Sequence, residues 1–189
     1  MNRIILFAFA FAVALAACLP SPARVHYEYV VLVAAEAKTT DPPLATVGLT
    51  RVTIPRYLDR EELATRTGNR LEFAARERWA EPLADSVPRV LADSLEANGM
   101  AVASERGDYT LAVDIERFER DGEGSVDLQA RWTLRDAARD LVIRSGRTRL
   151  AEPTAGAGSE ATARAMSSVL GRFAAEVAGT VREARLSRR

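Results

Sequence analysis

Tyr109-Thr-Leu-Ala-Val-Asp-Ile-Glu116, then Asp121-Gly-Glu-Gly124, then Ser125-Val-Asp-Leu-Gln-Ala-Arg-Trp-Thr-Leu134 is the stretch whose reading decides the fold. Tyr109, Leu111, Val113 and Ile115 alternate with Thr110, Ala112, Asp114 and Glu116. After the turn-rich Asp121–Gly124, Val126, Leu128, Ala130, Trp132 and Leu134 alternate with Ser125, Asp127, Gln129, Arg131 and Thr133. Side chains of a strand point to opposite faces in turn, so this period of two predicts antiparallel strands with one face covered and one face wet. A third strand is predicted over Leu141 to Leu150, after a turn from Asp136 to Asp140.

Two helices are predicted on either side of these strands. Downstream, the small-residue linker 155–158 leads into a helix capped by Ser159, with Glu160 well placed near the positive end of the helix dipole. Met166, Leu170, Phe173, Val177 and Val181 form its apolar stripe, a core face. Upstream, Leu83, Val87, Val90, Leu91 and Leu95 mark a helix that stops at Asn98-Gly99. Its start has two readings. From Pro82 the helix would carry Pro88 inside, at a cost of about 3 kcal/mol; capped by Ser86 it would hold Pro88 in the first turn, where no hydrogen bond is lost.

Nearer the N-terminus, His26 to Val33 reads as a β-branched and aromatic strand, and Thr39 to Leu44, with Asp41-Pro42-Pro43, as a loop. Val47 to Ile54 reads as a strand covered on more than one side and ended by Pro55. Residues 56–78 are charged and mixed, with only a short strand suggested around Leu71 and Phe73. The expected fold is α+β: a two-layer sandwich, mostly antiparallel sheet with two main helices packed on one face, forming a single domain over residues 25–189. Basic and acidic residues balance at 26 each, which gives no electrostatic footprint for nucleic acid. The apolar fraction of 48% suffices for one ordinary core.

The first seventeen residues read as a leader. Asn2 and Arg3 precede an apolar run from Ile4 to Leu15, closed by Ala16 and Ala17. The run is too short to span a bilayer, which takes about 20 apolar residues, and it fits a secretory signal peptide. Leu15-Ala16-Ala17-Cys18 resembles the lipobox of bacterial lipoproteins, in which the cysteine is acylated and becomes the new N-terminus. Cys18 is the only cysteine of the chain, so no internal disulfide competes for it. Attachment through two or more acyl chains is firm, each buried methylene contributing about 0.8 kcal/mol. Residues 18–24, with Pro20 and Pro22, form a lipidated tether. By resemblance to enterobacterial sorting, Leu19 and Pro20 in place of an aspartate favour the outer membrane, facing the periplasm.

Recognisable catalytic constellations are absent from the sequence. His26 is the only histidine, so neither a metal site nor a nucleophile–base pair can be assembled from His and Cys. Asp114 and Glu116 share the polar face of a strand, as a solvated face requires. Gly156-Ala157-Gly158 is a linker and not a phosphate loop. No catalytic residue, metal or cofactor is expected.

One segment carries a more specific signal. Val52-Thr-Ile-Pro-Arg-Tyr-Leu-Asp-Arg60, Arg66-Thr67-Gly68, and Trp79-Ala-Glu-Pro-Leu83 followed by Val90-Leu91 resemble the ABC-type transport auxiliary lipoproteins, the PqiC/YmbA-like family that accompanies MCE-domain transporters. The detailed likeness covers about fifty residues. It implies no enzyme activity. It implies instead a membrane-anchored partner of an MCE protein and an ABC permease–ATPase, with a homo-oligomer as one arrangement, in a system that moves lipid between membranes. Tyr57, Asp59, Arg60, Arg66, Trp79, Glu81 and Pro82 are the candidate partner-binding or structural residues. Asp59 is expected to accept turn amides or to pair with Arg60 or Arg66, and Trp79 to pack into the core. Two other functions stay open on sequence: a lipid-binding periplasmic carrier, and a structural envelope lipoprotein with no transport role.

Overall fold

The structure, a computed structural model, describes residues 25–35, 42–104 and 106–187. The predicted leader, Cys18, the tether and residues 39–41 of the predicted loop lie outside the described residues. The elements run β1 (Glu28–Val30), β2 (Thr46–Thr53), a 3-10 turn (Arg56–Leu58), β3 (Glu62–Thr67), β4 (Arg70–Trp79), α1 (Leu83–Ala97), β5 (Ala101–Ala103), β6 (Tyr109–Asp121), β7 (Ser125–Asp136), β8 (Leu141–Pro153) and α2 (Ser159–Leu186). The fold is α+β, with the strands in one sheet and both helices joined to it through a common core.

β6 is the spine. One of its edges carries β7 antiparallel along its length, with Leu111 opposite Leu134, Val113 opposite Trp132 and Ile115 opposite Ala130. β8 extends this meander as an edge strand. The other edge of β6 is shared. β2 runs parallel to its first half, from Val47 beside Tyr109 to Thr53 beside Asp114, and β3 meets its far end at Arg120 and Asp121. β4 pairs antiparallel with β3 and parallel with β1, and β5 closes the path beside β2. The two longest ladders, β6–β7 and β7–β8, are thus antiparallel.

The core lies where the sequence places it. Leu111, Val113, Ile115, Val126, Leu128, Leu134, Val87, Val90, Leu91, Leu95, Leu170, Phe173, Val177 and Val181 are all buried in one cluster. A bulge after Ile115 shifts the phase of β6, so that Phe118 rather than Arg117 turns inward. Trp132 lies across from Gly146, where an added Cβ would fall 2.9 Å from indole atoms. Its ring nitrogen donates to Thr148 Oγ1 at 3.0 Å, and the Thr148 hydroxyl donates to Glu176 of α2 at 2.8 Å.

Several local expectations need correction. Residues 56–78 hold more strand than the one suggested around Leu71 and Phe73, which lies in β4: β3 and β4 form a hairpin turning at Gly68, whose φ of +59° favours glycine. Most of β4 is exposed or half-buried on both sides, so its sequence shows no alternation to read. β1 is three residues long, shorter than the strand predicted from His26 to Val33. α1 starts from Pro82, not from a Ser86 cap, and carries Pro88 inside. α2 starts from Gly158, so Ser159 is its first helical residue and its buried hydroxyl makes no cap bond. There the φ of +104° at Gly158 turns the chain into the helix, a job Ser159 cannot do.

Pro88 leaves α1 without one amide donor toward Ala84. Pro88→Ala is expected to raise unfolding free energy by about 2 kcal/mol. That figure takes the roughly 3 kcal/mol interior-proline penalty less about 1 kcal/mol of added unfolded-chain entropy. Urea titration of the two proteins checks it, and an unchanged midpoint would show that the helix bends around Pro88 without cost.

Candidate functional site

The segment between β2 and β3 leaves the sheet and returns to the same edge of β6. Pro55 ends the strand run and enters the 3-10 turn with φ −61° and ψ 139°. Leu58 N–H donates to Pro55 C=O at 2.9 Å, and the Leu58 side chain is buried. With Leu58 fixed inward, Tyr57 and Asp59 are aimed elsewhere.

Tyr57 and Arg66 converge on Glu119, a residue the sequence reading missed. Glu119 is 1% exposed. Its Oε1 accepts from Arg66 Nε at 2.5 Å and lies 3.1 Å from Arg117 Nε, while its Oε2 accepts from Tyr57 Oη at 2.9 Å. Oε2 also accepts the Phe118 backbone N–H at 3.1 Å. Arg117 is paired in turn with Asp127 at 3.1 Å, and the Arg66 guanidinium lies 5.4 Å from the Tyr57 ring centroid. A buried carboxylate is tolerable only with this many partners. Partial burial, followed by the Glu119 charge and hydrogen bond, holds the Tyr57 phenol above its ordinary value of 10.0. The Glu119 bond raises Arg66, outweighing its own desolvation. The alternation does not mark Glu119, which is covered by Tyr57 and Arg66 brought from the turn and β3.

Of the other motif residues, Asp59, Arg60, Glu81 and Pro82 lie at the surface and Trp79 points into the core. Asp59 caps the 3-10 turn with its amide on Arg56 C=O at 3.3 Å, and its carboxylate is not the partner of either expected arginine. Arg60 instead pairs with Glu62 at 3.2 Å and lies over the Phe73 ring, 4.2 Å from its centroid. The Glu62 carboxyl is held low, first by a backbone hydrogen bond and then by Arg60. Trp79 is buried at the end of β4, as expected, with its amide donating to Glu61 C=O at 2.6 Å; Ala80 N–H then donates to Val30 C=O at 2.9 Å. Pro82 opens α1, accepting the Asp85 and Ser86 amides at 3.0 Å each, and Glu81 is paired with Arg89. Asp59, Arg60, Trp79, Glu81 and Pro82 thus meet with Tyr29 around one open groove of about 270 Å³. Beneath it, between Leu58, Leu63, Trp79, Phe118 and Met166, the interior leaves only about 10 Å³. The exposed His26 is not among these residues. Among the described residues no group of three or more His, Cys, Asp or Glu side chains could hold a metal ion.

The family model described as ABC-type transport auxiliary lipoprotein component matches residues 29–178. The chain belongs to that family. Two solved structures share its fold. One is a crystal structure of an uncharacterized protein, with TM-score 0.70 and 19% identity, covering 82% of this chain and 99% of that one. The other is the Xanthomonas campestris protein XCC0632, of the DUF330 family, with TM-score 0.69 and 21% identity, covering 85% and 99%. No curated protein matches the chain. As a lipoprotein component of a transport system, this auxiliary lipoprotein is a cell-envelope protein. Among its described residues no helix is long and apolar enough to cross a membrane.

Two measurements test the buried cluster of this auxiliary lipoprotein. Glu119→Ala leaves Arg66 and Arg117 without their common partner and is expected to cost about 3 kcal/mol of unfolding free energy; a cost under 1 kcal/mol would mean that the cluster is solvated. For Tyr57 the folded value lies above the unfolded one, so the native state holds the proton longer. Its stabilising contribution is complete below pH 10 and lost as pH rises through the raised value. Denaturant unfolding from pH 8 upward is therefore expected to show a steeper alkaline decline in wild type than in Tyr57→Phe.

Proposed function

We propose that this protein is a non-catalytic docking component of an MCE/ABC-type system that moves lipid between membranes. On this reading it is held by an acylated Cys18 on the periplasmic face of the outer membrane. The groove bounded by Asp59, Arg60, Trp79, Glu81 and Pro82 is then the surface that an MCE-domain protein meets. One observation carries the reading. Motif residues spread over two dozen positions of sequence converge on one rigid, open groove instead of on a cavity or a constellation of nucleophile and base.

The groove suits protein recognition. Its polar members are held before any partner arrives: Arg60 by Glu62 and the Phe73 ring, Glu81 by Arg89, and the backbone by the Trp79 and Ala80 hydrogen bonds. Such preorganisation lowers the ordering cost of binding. The roughly 10 Å³ left beneath the groove is far below the several hundred Å³ that a carried lipid needs, which favours docking over carriage at this place.

Asp59→Ala combined with Arg60→Ala removes the exposed polar rim and leaves the Tyr57–Arg66–Glu119 cluster intact. Retention of a co-expressed MCE partner is expected to fall at least about tenfold, equivalent to 1.4 kcal/mol or more, while the unfolding midpoint stays within about 0.5 kcal/mol of wild type. Undiminished retention with a folded variant would take the groove out of the interface.

A further inference from the structure

The N-terminal extended segment shows a feature the docking reading does not use. Val25, Tyr27, Tyr29, Val31 and Val33 are all exposed, Tyr29 at 61% and Val33 at 60%, whereas Val30 and Leu32 between them are buried. Exposure alternates from Tyr29 to Val33, with Tyr29, Val31 and Val33 on the outside and Val30 and Leu32 inside, and Val25 and Tyr27 continue the exposed apolar run toward the N-terminus to form one ridge. Among the described residues β1 has a neighbour in β4 only, so no described strand covers it on its outer side. Open grooves flank the ridge, with Glu160 and Arg164 of α2 on one side and Arg89, Asp93 and Glu96 of α1 on the other.

We propose that this ridge lies in the headgroup layer of the membrane that holds Cys18, and so fixes how the folded body stands on that surface. The proposal rests on the lipidation of Cys18 in the reading above. Three observations select a lipid surface over a protein. First, Cys18 and Val25 are seven residues apart, so the ridge begins at most about 25 Å from the acylated sulfur, whatever path the tether takes. A surface tethered that closely meets the bilayer at a high effective concentration. Second, the chemistry is interfacial: tyrosines settle at the headgroup level and valines just below it. Third, an apolar stripe bordered by charged residues is how a surface-lying element meets lipid, with its apolar face about 5–10 Å into the headgroup boundary. The Arg78 guanidinium, 4.9 Å from the Tyr27 ring centroid and bonded to the Ala74 and Glu77 carbonyls, supports that ring from behind.

Cys18 is the only cysteine, and acylation consumes its thiol, so Val31→Cys in the mature lipidated chain offers a single labelling site. Val142→Cys is the control. Val142 is equally apolar and exposed, but it lies on β8, at the opposite edge of the sheet. Each protein, carrying an environment-sensitive fluorophore, is reconstituted into phosphatidylethanolamine–phosphatidylglycerol vesicles containing a lipid-borne quencher. The label at Val31 is expected to shift to the blue and to lose about half or more of its emission, as its depth requires, while the label at Val142 does neither. No response at Val31, or an equal response at both sites, overturns the proposal and leaves the anchor standing if mass spectrometry shows an acylated N-terminal peptide. A free thiol in that peptide brings down the anchor and the proposal together. A label at Val31 already shielded in detergent without vesicles would assign the ridge to a protein contact and overturn it as well.

Discussion

The carboxylate of Glu119 sits at the interval on the β6 edge that neither β2 nor β3 covers. β2 leaves that edge beside Asp114 and β3 rejoins it beside Arg120, so the strand between has no backbone neighbour there. An unpaired buried amide costs about 1–3 kcal/mol, and Glu119 Oε2 removes one such cost by accepting the Phe118 N–H. Its own charge would be far more expensive to bury alone. Arg66 arrives from β3, Arg117 from β6 itself and Tyr57 from the 3-10 turn, and together they balance it. The position of the turn and the return of β3 to the edge are thereby one electrostatic problem with one solution.

What the groove presents follows from that solution. With Tyr57 held by Glu119 and Leu58 buried, the turn exposes Asp59 and Arg60. Trp79 is locked between Glu61 and the core, and Ala80 is joined to Val30, so the opposite wall is set by β1 and the start of α1. The motif therefore divides by role. Tyr57 and Arg66 hold the scaffold from inside, and Asp59, Arg60, Glu81 and Pro82 form a rim supported from behind. A motif that is half structural and half exposed is what a docking surface on a small fold requires, because exposed residues alone cannot keep a loop in one shape.

The meander and the core were legible because each strand from Tyr109 to Leu134 hides one face and wets the other. The helices were legible from Val87–Leu95 and from Met166–Val181 for the same reason. Where two faces are equally exposed, as along β4, the pattern fades and only a short strand around Leu71 and Phe73 can be read. Where a bulge inserts a residue, as after Ile115, the pattern changes phase, and Glu119 is buried by Tyr57 and Arg66 from segments distant in sequence. Partners of charged residues were illegible too: turn amides, Arg60 or Arg66 were the alternatives for Asp59, but Arg60 and Arg66 pair with Glu62 and Glu119, chosen by the bend of the chain, which local sequence does not encode. Pro88 inside α1 and Ser159 one residue past the cap show tertiary packing overriding local preference, since Val87, Val90, Ser159 and Ala161 are all buried by neighbours that fix the helix ends.

Tyr29 belongs to both surfaces proposed for this auxiliary lipoprotein. It stands in the apolar ridge and also lines the groove beside Asp59 and Trp79. A ridge resting on lipid would consequently hold the groove at the edge of the headgroup layer, open sideways and not toward the membrane-distal end. A partner reaching it must then come down to the bilayer, which is where a conduit for hydrophobic cargo has to end if the cargo is to avoid water. The same continuity limits the partner: contact with the rim of Asp59 and Arg60 has to be made by a surface that tolerates anionic headgroups nearby.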